Sequence, residues 1–105
     1  MMFGLKEQDI SDIVAAIGVI AEIEKASIFG SRAKGTFKPG SDVDIAIFGE
    51  GITFDTVSRL HGALEDNSGM PYFFDIVDYS HLTNGALKEH IERVGMVIFD
   101  RQGTP

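Results

Sequence analysis

Asp42 and Asp44 stand one residue apart at the head of an apolar run, DVDIAIF, from Asp42 to Phe48. Such a run predicts a strand, and side chains alternate faces along a strand, so the two carboxylates project from one side while Val43, Ile45 and Ile47 project from the other. Like charges side by side repel, and burial adds a desolvation cost. A divalent cation removes that penalty, and hard oxygen donors of this kind suit magnesium. A sheet with one apolar face and one acidic face is therefore the first expectation for this chain.

Composition narrows the field. A length of 105 residues predicts one domain, 1–105, with a single core, and 44% apolar with 24% charged residues is ordinary for a globular protein. The absence of cysteine excludes disulfides, thiolate zinc sites and thiol nucleophiles. The longest apolar run, Ile13 to Ala21, is nine residues with Gly18 inside it, far short of the roughly 20 that a membrane helix needs. Lys6, Glu7 and Asp9 interrupt the region where a signal peptide would be apolar, which predicts a cytoplasmic protein. A net charge of −7 argues against non-specific grip on nucleic acid. The basic residues Arg32, Lys34 and Lys38 nevertheless gather close to the paired aspartates.

Periodicity places the remaining elements. Asp9 to Lys25 predicts a helix, with Ile10, Ile13, Val14, Ile17, Ile20 and Ala21 on its apolar side and Asp9 or Ser11 as cap. Ser27 to Phe29 predicts a strand paired with Asp42–Phe48, and Gly30 to Gly40 a loop with one helical turn at Ser31 to Lys34. Thr53 is the expected cap of a helix reaching about Asn67, with Phe54, Val57, Leu60, His61 and Leu64 on one side. Tyr72 to Asp78 predicts a strand whose aromatics, Tyr72, Phe73 and Phe74, belong to the core. A further helix from Thr83 to Val94 turns Ala86, Leu87, Ile91 and Val94 inward and ends at Gly95 in the left-handed conformation. Met96 to Phe99 is the last strand, and Gly103 to Pro105 a frayed tail. The fold class is α/β (α+β): a mixed sheet of about four strands, helices on one face, the acids on the other.

Asp75, in Y-F-F-D-I-V-D, lies mid-strand among apolar neighbours, where an unpaired charge is costly, and it is the candidate third acid beside Asp42 and Asp44. The competing reading puts Asp75 on a solvated face with no role. Asp78 faces oppositely and reads as a strand-end residue. Gly30 permits close backbone approach to a phosphate, and Ser31 at a helix start offers an anion cradle; the plain alternatives are a turn and a cap. Arg32 either pairs with phosphate oxygens or braces a nearby carboxylate or carbonyl. Ser41 either bonds phosphate or fixes the turn. His61, His81 and His90 show no zinc spacing and read as surface or core residues.

The pattern G-S-R-A-K-G, five residues, then S-D-V-D resembles the signature of the nucleotidyltransferase superfamily that includes DNA polymerase beta. In size the chain is similar to the minimal nucleotidyltransferase (MNT) group, often encoded beside HEPN-domain proteins as toxin–antitoxin pairs. The resemblance runs over essentially the whole chain and implies a palm-like fold. It implies catalytic and metal-binding roles for Asp42, Asp44 and Asp75, and nucleotide binding by Gly30, Ser31, Arg32 and Ser41. It also implies two Mg2+ ions and ATP or another nucleoside triphosphate as substrate. Lys34 and Lys38 stand where arginine is frequent in the family, which keeps charge but loses bidentate geometry, and Lys34 reads as solvated.

The activity implied is transfer of a nucleotidyl group, adenylyl above all, to a hydroxyl on a HEPN-type helical partner protein or a small molecule. Asp75 would help deprotonate the acceptor. A second reading is an antitoxin subunit that acts by binding such a partner, alone or as part of a homo- or hetero-oligomer. A third, tailoring of RNA ends, is disfavoured by the acidic balance. The brevity of the chain favours a partner that supplies the acceptor or the missing wall of the site.

Overall fold

The computed structural model describes residues 2–65 and 69–102. Among the described residues nine elements follow one another: α1 (Glu7–Gly18), β1 (Lys25–Phe29), α2 (Gly30–Lys34), β2 (Val43–Phe48), α3 (Phe54–Glu65), β3 (Phe74–Asp78), a single 3-10 turn (Tyr79–His81), α4 (Gly85–Val94) and β4 (Met96–Asp100). The strands form one mixed sheet in the order β3-β2-β1-β4. β1 runs antiparallel to both β2 and β4, with a register shift against β4 between Ala26 and Ser27. β2 and β3 are parallel, and α3 supplies the crossover that a parallel pair requires.

The apolar sides of the strands make the core. Ala26, Ile28, Val43, Ile45, Ile47 and Phe74 pack with Ile13 and Ile17 of α1 and Leu60 and Leu64 of α3. The opposite face carries a smaller cluster in which Phe29 and Ala46 meet Ile91 of α4, flanked by Leu87 and Val94. The expected mixed four-stranded sheet is present. The expectation that the helices keep to one face holds for α1 and α3 only, because α4 closes part of the acidic face.

Several local expectations shift for identifiable reasons. α1 starts at Glu7 and ends at Gly18, with no side-chain cap; Asp9 lies inside its first turn, where a carboxylate favours the helix dipole. Ile20 is buried beyond the helix end, while Ala21 is exposed. Thr53 does cap α3: its Oγ1 accepts from Thr56 N at 3.4 Å while Thr56 Oγ1 accepts from Thr53 N at 3.0 Å, a reciprocal arrangement. The buried seam of α3 is Thr56, Leu60 and Leu64, so Phe54 is 87% exposed and His61 turns outward to Glu65. Thr56 takes the inward place because its hydroxyl donates to Glu22 at 2.7 Å. The expected end of this helix at Asn67 and the tail Gly103 to Pro105 lie outside the described residues.

Phe73 points out at 72% exposure whereas Phe74 is buried, so the aromatic triplet is not wholly core; the alternation of β3 puts Phe73 on the side of Asp75. In α4, capped by Asn84, Ala86 is exposed. Gly95 is not left-handed (φ −63), and glycine fits there because a Cβ would stand 2.4 Å from the Ile91 carbonyl oxygen. Among the described residues no helix is long and apolar enough to cross a membrane.

Candidate active site

At the end of β1 the backbone turns sharply into α2. Gly30 has φ +74, and a Cβ there would lie 2.1 Å from Asp44 Oδ2. Only glycine lets the Asp44 carboxylate sit against this bend. Phe29, just before it, is the register partner of Asp44 on β2, and Asp44 is in turn the partner of Asp75 on β3. Residues directly opposite in a sheet share a face, so Asp44 and Asp75 stand as neighbours across the parallel pair. Asp42, one residue before β2, and Asp75, on the edge strand, are exposed; Asp44 between them is partly buried.

Electrostatics couple the three by repulsion. The Asp44 carboxyl is raised from 3.8 to about 6, first by burial, then by the charge of Asp75 and of Asp42, with Arg32 pulling the other way. Among the described residues no ion pair engages Asp42, Asp44 or Asp75. As the side chains are oriented, no group of three or more acidic or histidine residues among those described closes to metal-holding distance. The donor set nonetheless fits a hard divalent cation: a partly buried carboxylate, pressed by two others on neighbouring backbone positions, is stabilised by positive charge.

Arg32 lies buried beside the acids. It is 3% exposed, and its Nε and Nη2 donate to the Ser41 carbonyl at 3.2 and 2.8 Å while Nη1 donates to the Phe3 carbonyl at 2.7 Å. Its guanidinium also lies over the rings of Phe37 and Tyr72, at 5.1 and 5.2 Å. These contacts are those of a brace on two main-chain carbonyls, the second of the two roles expected of Arg32. Ser41 likewise fixes the turn: its Oγ accepts from Lys38 N at 2.9 Å. Ser31 occupies the first turn of α2, directly after the Gly30 bend, and Lys34 and Lys38 are exposed.

Asp78 accepts from the amide of His81 at 3.3 Å and meets its Nδ1 at 2.7 Å, which makes it the cap of the 3-10 turn. His90 packs edge-on against Phe29 with ring centroids 6.1 Å apart. Sequence reasoning had no signal for the Phe3 carbonyl, which lies 29 residues from Arg32. It had only a weak one for Phe37 and Tyr72, aromatic residues whose partner is a cation.

With this geometry in view, likeness to known proteins becomes informative. The family model described as polymerase beta, nucleotidyltransferase matches residues 8–104. The chain is 36% identical over 77 residues to a probable protein adenylyltransferase MntA of Haemophilus influenzae, covering 72% of this chain and 66% of that protein. It thus spans just under two thirds of that relative's length. Among solved structures, a toxin–antitoxin complex with AMP-PNP superposes with a TM-score of 0.71 at 23% identity, over 93% of this chain and 76% of the other. A toxin–antitoxin MntA-HepT structure gives 0.69 at 18% identity, over 92% and 74%. These two show likeness of fold. The family match runs over nearly the full length and the fold agrees with it: the chain belongs to the polymerase beta nucleotidyltransferase family.

Proposed function

We propose that this protein transfers a nucleotidyl group, adenylyl from ATP in the first instance, to a hydroxyl on a helical HEPN-type partner protein. The observation that carries the reading is the register Phe29↔Asp44↔Asp75, which lines two acids of the set beside the Gly30 bend. The 36% identical relative named as a protein adenylyltransferase, and the AMP-PNP in a structure of similar fold, support the donor and the class of acceptor.

In this scheme Asp42, Asp44 and Asp75 hold two magnesium ions, whose chemistry is to neutralise phosphate charge and activate the attacking oxygen. Gly30, with no side chain, lets the backbone approach the triphosphate, and Ser31 donates to it from the first turn of α2. Ser41 contributes by holding Asp42 in place. Asp75, exposed on the edge strand, takes the acceptor's hydroxyl proton as that oxygen attacks the α-phosphorus of ATP, the bond from the α-phosphorus to the β-phosphate oxygen breaks, and pyrophosphate leaves.

Incubation with labelled ATP, magnesium and the partner is expected to label the partner. Asp44→Ala and Asp75→Ala should each lower the rate by roughly 100-fold or more. Equal labelling by either variant would remove the reading. The toxin–antitoxin complexes of similar fold support a second reading, in which the chain neutralises its partner by binding alone. Neutralisation that survives Asp44→Ala without label on the partner would select it.

A further inference from the structure

One buried side chain ties the N-terminal turn to the loop that carries Asp42. Residues Met2 to Leu5 make a tight turn closed by Leu5 N donating to the Met2 carbonyl at 2.8 Å. Phe3 has φ 57, which a side chain seldom adopts, and Gly4 has φ 71. The turn fits closely against its surroundings: a Cβ on Gly4 would lie 2.3 Å from Phe37 Cε2 and 3.0 Å from Arg32 Nη1. The Phe3 carbonyl accepts a hydrogen bond from Arg32 Nη1, and the same guanidinium grips the Ser41 carbonyl with two donors. That carbonyl belongs to the peptide leading into Asp42.

A buried guanidinium needs its donors satisfied, and loss of either carbonyl leaves one stranded. The turn and the Ser41–Asp42 peptide therefore hold one another in place through Arg32. The loop is closed from its other side by Lys38 N on Ser41 Oγ and Ser41 N on the Lys38 carbonyl, 2.9 and 3.0 Å. We propose that the Met2–Leu5 turn is a positioning element for the acid site: acting through Arg32, it sets the Ser41–Asp42 peptide and hence the affinity of the site for a metal–nucleotide pair. The second half of this statement rests on the functional reading above. The first half does not.

Amide hydrogen exchange, thermal unfolding and calorimetric titration of a non-hydrolysable ATP analogue with magnesium test it on wild type, Gly4→Ala, Arg32→Lys and Phe3→Gly. Gly4→Ala pushes the turn off Phe37, and Arg32→Lys removes the fork that grips two carbonyls at once. Both are expected to speed exchange at the hydrogen-bonded amides of Lys38, Ser41 and Val43 about tenfold, with the Ile45 and Ile47 amides unchanged. Both should weaken analogue binding about tenfold. Phe3→Gly keeps the carbonyl and suits the backbone angle; it lowers the unfolding temperature by losing the ring packed against the core, but should match wild type in exchange at Lys38, Ser41 and Val43 and in analogue binding.

Wild-type exchange at Lys38, Ser41 and Val43 in Gly4→Ala overturns the proposal. So does a rise spread evenly over the sheet, which marks general destabilisation. If Arg32→Lys does not fold, Gly4→Ala decides alone. Should wild type fail to bind the analogue, the functional reading falls while the exchange comparison still decides whether the turn positions the loop.

Discussion

The two faces of this sheet obey different rules although they share every strand. On one, Ile28, Ile45 and Ile47 are fully buried beneath α1 and α3, and neighbours of like chemistry support one another. On the other, Asp44 takes the place next to Ile45, repelled by Asp75 and Asp42, and α4 covers the part over Phe29 and Ala46. The first face gains free energy from each group removed from water. The second gives some of it up to keep carboxylates together, an arrangement that stability alone does not favour and a cation does. The contrast teaches where to look for chemistry in a small domain: at the positions where the alternation of a strand puts charge where packing would have put an aliphatic side chain.

The largest effect expected is on the closed face. Ile45→Ala removes a fully buried β2 side chain from the core beneath α1 and α3 and should cost about 2–5 kcal/mol of stability in a denaturant titration. Gly30→Ala comes next. With φ +74 and Asp44 Oδ2 at 2.1 Å from the new methyl, it should cost about 1–3 kcal/mol and abolish nucleotide-analogue binding.

On the acidic face the sign reverses. Because folding raises Asp44 from 3.8 to about 6, the folded protein binds a proton more readily than the unfolded chain between those values. The stability this provides is complete below pH 4 and is lost as the pH rises through 6. After discounting for solvent screening of a partly exposed group, the expected size is about 1 kcal/mol. Asp44→Asn should therefore stabilise the metal-free protein by about that much at pH 8 and by nothing near pH 3.5, in thermal unfolding followed across pH. A gain of equal size at both pH values would show that repulsion among the acids is not its source.

The smallest effect belongs to a residue that looks like core in sequence and is not. Phe54→Ser, at a position 87% exposed, should change stability by less than about 0.5 kcal/mol.

That last case marks the limit of what periodicity can say. The alternation of β2 and the helical spacing of Ile13, Ile17, Leu60 and Leu64 were legible because each reflects a repeat of the backbone itself. The seam of α3 slid by one residue because the hydroxyl of Thr56 meets Glu22, a contact 34 residues away in the chain. Gly30 and the acid pair Asp42 and Asp44 could be read from spacing. The bracing role of Arg32 could not be separated from phosphate binding, since its partners are main-chain carbonyls that no side-chain pattern announces. The position of α4 was hidden for a related reason: an amphipathic helix declares that it has an apolar side, not which face of the sheet receives it.

The measurement closest to the central claim is a crystal structure with manganese in place of magnesium and a non-hydrolysable ATP analogue, with anomalous scattering locating the ions. The account predicts metal peaks bracketed by the carboxylates of Asp42, Asp44 and Asp75, with the triphosphate against Gly30 and Ser31. Metal bound without Asp75, or a triphosphate lodged away from the Gly30 bend, would contradict it.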